Sequence, residues 1–186
     1  LRELVSTRPK VLAEVNGRPF LYFLLDQLSR SGIMRAILCT GYMADEVERV
    51  IGKEYKNVEI VYSRETNPLG TGGALGLAAR FIDERQVLVM NGDSLIDVNY
   101  QDFLLWHEMK GGRITLVVTP MQDRDRYGSV ELDLDDKITK FSEKSTTPDQ
   151  HQGLISAGTY LMCTSILNEI QNREYCSLEE EKLPSL

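Results

Sequence analysis

The spacing of apolar residues along the chain alternates between the period of a helix and that of a strand. Leucines at positions 21, 24, 25 and 28 fall on one helical face, whereas short uninterrupted apolar runs are typical of buried strands. The predicted helices cover residues 18–32, 43–55 and 100–110, and the predicted strands cover 34–40, 58–62, 87–91 and 113–119. Trp106 and the leucines of the helix at 100–110 are expected in the core. Strands and helices therefore alternate along this part of the chain, with short connections.

This alternation predicts an α/β fold: a doubly wound, mainly parallel sheet of Rossmann-like type with helices on both faces. Beyond residue 120 the pattern changes to two strands around a turn at Asp135 and Asp136, then a strand at 154–163 and a helix near SILNEI. Residues 145–153 are polar with one proline and are predicted to form a flexible loop. The length of 186 residues favours a single domain over 1–186.

Composition and charge exclude several classes of partner. Apolar residues make up 42% and charged residues 26% of the chain, as in ordinary globular proteins, and the net charge is −7. An acidic chain without a basic patch is not expected to bind nucleic acid or a membrane surface. No apolar run is long enough to span a bilayer.

Cysteines and histidines are too few and too scattered for several kinds of chemistry. Cys39, Cys163 and Cys176 lie far apart without metal-ligand spacing, which favours idle thiols in a reducing cytoplasm. His107 and His151 are the only histidines in the sequence. A histidine-based catalytic triad and a three-histidine zinc site are therefore excluded.

Ligands of open parallel sheets collect beyond the carboxyl ends of the strands, and polar stretches follow three of the predicted strands here. Asp93, in NGDSLID, suits a Mg²⁺ ion held by one or two carboxylates plus substrate phosphates, or else an Asx turn or helix cap. Asp97 is predicted to be a turn residue or the cap of the helix that follows. Gly41 and Tyr42 follow a strand end and could border a nucleotide, with Tyr42 either packing or contacting the ligand.

Four glycines stand close together in NPLGTGGALGLAARF, residues 67–81, just before a helical pattern. Such a stretch could be a phosphate cradle, a dinucleotide fingerprint or a tight turn, because glycine lets backbone approach a ligand closely. The fingerprint needs its first glycine directly after a strand, but SRETNPL separates Tyr62 from Gly70. The dinucleotide interpretation is therefore disfavoured.

Taken together, four stretches resemble sugar-1-phosphate nucleotidylyltransferases. In order, they are LRELVSTRPKVLAEVNGRPFL, PLGTGGAL, NGDSLID, and RYGSVELDLDDKITKFSEK followed by LISAGTYLM. They span most of the chain. Their sequences are most similar to those of enzymes that transfer a guanylyl group to mannose 1-phosphate or D-glycero-D-manno-heptose 1-phosphate.

The resemblance implies a glycosyltransferase-A-like nucleotide-binding core and a reaction without a protein nucleophile. A sugar-1-phosphate oxygen attacks the α-phosphorus of a nucleoside triphosphate, GTP being favoured, and pyrophosphate leaves. Since both reactants are anions, the enzyme neutralises charge and aligns them, with Mg²⁺ as the implied cofactor. Such enzymes commonly form homo-oligomers.

The same resemblance assigns roles to residues around the nucleotide. Lys10 matches a lysine that faces the phosphates, although a lysine after a proline is also an ordinary solvated residue. Arg2 matches an arginine of the same signature, and Asp93 matches the magnesium ligand. The glycine turn is expected to face the base and ribose. The implied nucleotide-binding residues are Gly41, Tyr42, Pro68, Gly70, Thr71, Gly72, Gly73, Asn91 and Gly92.

For the sugar phosphate, Glu143 matches a residue that accepts hydrogen bonds from ring hydroxyls, and Lys144 one that pairs with the phosphate. Standing alone, the two would be exposed charges at a strand end. Gly128, Ala157 and Gly158 would bring backbone close to the sugar. Ser156 stands where many relatives have Asn, which puts its sugar contact in question.

Two parts of the family pattern lie outside the sequence. The phosphate loop GGxGTRL would end at Leu1 and Arg2, and a second metal-binding aspartate would follow residue 186. A catalytically silent regulatory domain of the same fold is therefore an alternative to an active enzyme. A dinucleotide-dependent oxidoreductase is a third interpretation, disfavoured by the position of the glycines.

Overall fold

The computed structural model describes residues 8–122, 128–142, 153–171 and 175–185. The strands are β1 Glu14–Val15, β2 Arg18–Pro19, β3 Arg35–Thr40, β4 Glu54–Tyr55, β5 Val58–Arg64, β6 Gln86–Met90, β7 Ile114–Met121, β8 Ser129–Leu132, β9 Ile138–Ser142 and β10 Gly153–Cys163. The helices are α1 Leu21–Arg30, α2 Ala44–Ile51, α3 Gly70–Ala78, α4 Tyr100–Lys110 and α5 Thr164–Ile170. A turn of π-helix covers Leu178–Lys182.

The chain divides into two compact units. The first comprises Leu1–Pro68 and Asn91–Met109, and the second comprises Leu69–Met90 and Lys110–Leu186. Each unit is built from two separate stretches of sequence, so both depend on contacts between residues far apart in the chain. The expectation of a single domain over 1–186 stays a prediction.

In the first unit, the predicted leucine face of α1 is confirmed. Leu21, Leu24, Leu25 and Leu28 are all buried, and the helix is followed by Gly32 with a φ of 77°. The helix begins at Leu21, because Arg18–Pro19 instead pairs with Glu14–Val15 as a small hairpin.

The first unit also contains the parallel pair β3–β5, with β4 antiparallel to β5 on its other side. Helix α2 was predicted to reach residue 55 but ends at Ile51. Gly52 has a φ of 76° and stops the helix, which frees Glu54–Tyr55 to pair with β5.

The sheet of the second unit is organised around β10. This strand is antiparallel to β7 along most of its length, to β6 through Thr159–Cys163, and to β8 at Leu154 and Ile155. Strand β9 pairs with β8 around the predicted turn, where Asp136 has a φ of 62°. Buried residues of β7–β10, α5 and the C-terminal segment form the core: Leu116, Val130, Phe141, Tyr160, Met162, Ile166, Leu167, Ile170, Cys176, Leu178 and Leu183.

This pairing corrects the predicted sheet in one respect. The α/β arrangement of helices and strands is as predicted, but among the described strands only β3 and β5 form a parallel pair. Strands β6 and β7 do point the same way, as the alternation implies, because both are antiparallel to β10. Strand β10 comes later in the sequence and lies between them, so antiparallel pairs replace the expected parallel one.

Helix α4 covers the predicted residues, but its exposed side differs from the prediction. Trp106 and the helix's leucines were expected in the core, yet Trp106 is 41% and Leu105 62% exposed. The buried face instead carries Tyr100, Phe103 and His107, which are spaced three and four residues apart. A helix with apolar residues on two faces buries only the one that meets the rest of its unit.

Candidate active site

The loop that contains Asp93 lies against the segment that contains Lys10. A Cβ atom added to Gly92 would lie 3.2 Å from Cγ1 of Val11. Both residues belong to the first unit. Because Val11 follows Lys10 and Gly92 precedes Asp93, this contact brings the two predicted catalytic residues into one neighbourhood.

The charged groups in this neighbourhood are available to a ligand. Lys10, Asn91 and Asp93 are exposed. Within the described residues, the Lys10 ammonium and the Asp93 carboxylate make no hydrogen bond or ion pair. Opposite charges on two neighbouring segments, both unpaired within the described residues, are consistent with a site that binds an anion and a cation together.

The loop between β6 and α4, which contains Asp93, is anchored to α1 by side-chain hydrogen bonds of Gln27. Nε2 of Gln27 donates to the carbonyl of Ile96 at 2.7 Å, and the hydroxyl of Tyr100 donates to Oε1 of Gln27 at 3.1 Å. Burial raises the pKa of Tyr100 to about 12, which keeps this donor protonated. Both alternatives predicted for Asp97 are wrong. Asp97 does not lie in a turn, and the start of α4 is capped by Oδ1 of Asn99, which accepts from the N–H of Gln101 at 3.0 Å.

Beyond the ends of β3 and β5, the structure places a carboxylate that the sequence analysis did not select. The N–H of Glu65 donates to the carbonyl of Thr40 at 2.9 Å. A Cβ atom on Gly41 would lie 2.7 Å from Oε1 of Glu65, so the Glu65 carboxylate lies directly beside Gly41. Tyr42 is 86% exposed, which rules out its packing interpretation and leaves the ring open to a ligand.

The glycines of the central motif lie inside helix α3 and not in a turn before it. The amides of Gly72 and Gly73 donate to the carbonyl of Cys176 at 2.9 and 3.0 Å. An added Cβ would come within 2.5 Å of that carbonyl oxygen at Gly70 and 3.1 Å at Gly72. The close approach expected at these glycines is therefore made, in this structure, to the protein's own C-terminal segment.

The remaining predicted nucleotide contacts of this motif differ in their surroundings. Pro68 is exposed. The hydroxyl of Thr71 accepts from the N–H of Leu178 at 2.9 Å and donates to Oε2 of Glu179 at 2.6 Å. Thr71 is thus tied to the same C-terminal segment as the glycines.

The predicted sugar-binding backbone lies on an irregular stretch of β10. The pairing with β7 shifts register between Ser156 and Tyr160, and Gly158 there has a φ of 70°. Oγ of Ser156 accepts from the N–H of Gly158 at 3.2 Å and lies 3.1 Å from the hydroxyl of Tyr160. The Ser156 hydroxyl therefore supports the bulge.

Gly128 is tied to the same bulge, because its carbonyl accepts from the N–H of Ser156 at 2.8 Å. Three predicted residues, Arg2, Glu143 and Lys144, lie outside the described residues, as does most of the polar loop at 145–153.

The described residues fit a magnesium ion only together with a substrate. In that part of the chain, no cluster of three or more His, Cys, Asp or Glu side chains could hold a metal. Mg²⁺ in phosphoryl-transfer sites, however, is commonly bound by one or two carboxylates plus phosphate oxygens and water. Asp93, which is exposed and unpaired within the described residues, has the chemistry that such a site requires.

With the fold and these sites in place, the chain can be compared with known proteins. The model of the nucleotidyl transferase family matches residues 1–184. The chain belongs to this family and, within it, to the sugar-1-phosphate nucleotidylyltransferases, enzymes of nucleotide-sugar synthesis.

Its relatives include two kinds of guanylyltransferase. The D-glycero-α-D-manno-heptose 1-phosphate guanylyltransferase of Campylobacter jejuni subsp. jejuni serotype O:2 is 33% identical over 97% of this chain and 78% of its own length. The mannose-1-phosphate guanylyltransferase catalytic subunit beta of Danio rerio is also 33% identical, over 99% of this chain but 52% of its own length.

Among solved structures, HddC from Yersinia pseudotuberculosis complexed with GMP-PN has a TM-score of 0.83 at 31% identity, covering 96% of this chain and 77% of its own. This match confirms the α/β nucleotidyltransferase fold. Among the described residues, no helix is both long enough and apolar enough to cross a membrane.

Proposed function

We propose that this chain transfers a guanylyl group from GTP to a heptose- or mannose-type sugar 1-phosphate. An oxygen of the sugar phosphate forms a bond to the α-phosphorus, the bond from that phosphorus to the bridging oxygen breaks, and pyrophosphate leaves. The products are a GDP-sugar and pyrophosphate, and no covalent enzyme intermediate is involved.

The observation that supports the proposal is the close approach of Gly92 to Val11, the chain neighbours of the unpaired Asp93 and Lys10. The Lys10 ammonium neutralises phosphate charge as the two anions approach, which lowers the barrier to an in-line displacement. Asp93 would hold the magnesium ion. When bound, that ion supplies charge neutralisation at the reacting phosphates. Asn91 and Gly92 position the carboxylate.

Guanine as the base is supported by Glu65. Guanine presents two adjacent donors, N1–H and the N2 amino group, on one edge, and a carboxylate can accept from both. Uracil and thymine present a single N–H between two carbonyl oxygens, which a carboxylate repels. Glu65 lies beyond the ends of two parallel strands, beside Gly41 and the exposed Tyr42, where a base would meet it.

A heptose-type sugar is supported mainly by coverage. The match spans 78% of the heptose 1-phosphate guanylyltransferase but only 52% of the mannose-1-phosphate guanylyltransferase. On the protein side, the bulge at Ser156–Gly158 presents backbone to the sugar, while Glu143 and Lys144 would bind its hydroxyls and phosphate. We also propose that the protein acts in a reducing cytoplasm, where both substrates would be available, and that it assembles into homo-oligomers.

The experiment that tests the activity is pyrophosphate release, measured with GTP, UTP, dTTP and ATP against heptose, mannose and glucose 1-phosphates. The Asp93→Asn variant should lose at least about a hundredfold in kcat, as expected for losing a group that stabilises transition-state charge. Asp97→Asn is the matched control, since this exposed carboxylate of the same loop has no assigned role. Equal activity of the two variants would contradict the role of Asp93.

The base assignment has its own readout. Glu65→Gln should lower the ratio of kcat/KM for GTP to that for UTP by about tenfold, because an amide offers one acceptor where the carboxylate offers two. An unchanged ratio would remove Glu65 from base selection. A protein that binds GTP and a GDP-sugar without releasing pyrophosphate would be a regulatory domain. Binding of NAD⁺ without GTP would instead indicate an oxidoreductase.

A further inference from the structure

The segment from Tyr175 to Lys182, here called the C-terminal clamp, pairs with the start of helix α3. The N–H of Cys176 donates to the carbonyl of Leu69 at 2.9 Å, and its carbonyl accepts from Gly72 and Gly73. Both α3 and the clamp belong to the second unit. The first turn of α3 is thus fixed by a segment distant in sequence and not by a side-chain cap of its own.

This pairing divides the amides at the start of α3 into two groups. Those of Gly72 and Gly73 are occupied by Cys176, whereas in the described part of the chain no partner is found for those of Gly70 and Thr71. The latter two are therefore the groups through which a nucleotide could contact this turn. The direction in which these two N–H groups point depends on how firmly Thr71 is held.

Thr71 is held by the clamp through its side chain. Its hydroxyl donates to Oε2 of Glu179 at 2.6 Å, a length typical of a hydrogen bond to a charged carboxylate. Because the hydroxyl hydrogen is committed to Glu179, an oxygen lone pair faces the N–H of Leu178, which donates to it at 2.9 Å. Glu179 thereby fixes both the rotamer of Thr71 and the spacing between the clamp and the turn.

The clamp is itself anchored at its other end. Leu178 and Leu183 are buried in the core of the second unit, and the ammonium of Lys182 pairs with Glu169 on α5. Glu179 therefore extends from a fixed segment, and its carboxylate is available to orient Thr71 at little further entropic cost.

We infer that Glu179 is a positioning residue for nucleotide binding, acting through Thr71. The inference rests on the proposed function, in which the turn at Gly70–Gly73 contacts the nucleotide. Glu179 does not touch the substrate. It selects one geometry of the turn in advance, so its loss weakens nucleotide binding without changing the reacting groups or the sugar site.

The test compares Glu179→Gln with Glu180→Gln, because Glu180 is exposed and its carboxylate has no partner within the described residues. The amide retains an acceptor but loses the charge, so KM for GTP should rise on the order of fivefold, with kcat and KM for the sugar phosphate unchanged. Glu180→Gln should match the wild type. Melting temperatures of all variants are measured, since a purely structural role would lower stability and shift all kinetic parameters together.

A second pair of variants keeps the inference testable if Glu179→Gln folds poorly. Thr71→Val should reproduce the rise in KM for GTP, whereas Thr71→Ser retains the hydroxyl and should raise KM for GTP less than Thr71→Val does. The double variant Thr71→Val with Glu179→Gln should be no worse than Thr71→Val alone, because both changes break one connection.

The outcomes separate the inference from the proposed function. An active wild type in which Glu179→Gln and Glu180→Gln have the same KM for GTP overturns the inference alone. A wild type that neither releases pyrophosphate nor binds GTP in calorimetry overturns both. Additive effects in the double variant would show that Thr71 and Glu179 act separately, which also overturns the inference.

Discussion

Replacing Gly76 by alanine tests whether this glycine is needed for packing rather than for ligand contact. A Cβ atom at this position would lie 2.8 Å from the carbonyl oxygen and 3.0 Å from the carbonyl carbon of Ile170, and 3.2 Å from Cα of Gln171. All three are backbone atoms at the end of α5, so no side chain can rotate away. Helices α3 and α5 must separate by several tenths of an ångström to admit the methyl group.

Two effects of opposite sign decide the magnitude. Alanine favours a helix over glycine by about 1 kcal/mol. Forcing an extra carbon into a packed contact costs about 1–3 kcal/mol, and the rigid backbone here favours the upper half of that range. We therefore expect Gly76→Ala to lower the free energy of unfolding by about 1–2 kcal/mol, and Tm by about 2–8 °C for a chain of this length.

The assay is urea unfolding followed by circular dichroism, together with KM for GTP. Gly112→Ala is the control, because an added Cβ there is less crowded than at Gly76: its nearest neighbour is the carbonyl oxygen of Ile114 at 3.3 Å. Its free energy of unfolding should fall by less than that of Gly76→Ala. A Gly76→Ala protein as stable as the wild type would refute the packing argument, and an intact stability with a raised KM for GTP would assign Gly76 to the nucleotide site.

Three further predictions follow from buried polar groups. Asp26→Asn should cost about 1–3 kcal/mol in urea unfolding, since the buried carboxylate accepts from Arg18 at 2.7 Å, whereas Glu59→Gln on an exposed ion pair should cost almost nothing. Burial lowers the pKa of His107 below 6.5, so the unfolded chain binds the proton more readily and stability should fall as pH drops through this value. His107→Asn should reduce the dependence of Tm on pH in thermal melts at pH 5–8. An unchanged dependence would show that another group causes it. Ser156→Ala should loosen the bulge of β10 and raise KM for the sugar phosphate about threefold but not KM for GTP, and equal shifts in both would contradict this.

The sequence predicted well those elements whose signals are local. The leucine face of α1, the span of α4 and the turn at Asp136 each follow from periodicity or turn chemistry over a few residues. The hairpin of β1 and β2 was missed, although Asn16 and Gly17, with φ of 52° and 74°, carry a known turn signal.

What could not be predicted depends on partners distant in the chain. The position of β10 between β6 and β7 cannot be predicted from the alternation of elements. Alternation gives the order of strands along the chain but not which strands are adjacent in the sheet. The contact of the α3 glycines with Cys176 could not be predicted either, because Cys176 lies about a hundred residues away in the chain.

In the site, Asp93 and Lys10 could be selected from motif and spacing, whereas Glu65 could not. Its significance comes from its position beside Gly41, beyond the ends of two parallel strands. A single acidic residue after a strand has no local signal that separates it from a solvated one.

Because β10 pairs with β6, β7 and β8, the sheet of the second unit can form only after β10 has been synthesised. Strands β6 and β7 leave the ribosome with apolar edges whose common partner has not yet been translated. Until Cys163 emerges, those edges are templates for pairing with other chains, and the delay is governed by translation speed as much as by the sequence of either strand. Chaperone dependence and aggregation of nascent chains should therefore concentrate in the interval between the synthesis of β7 and that of β10.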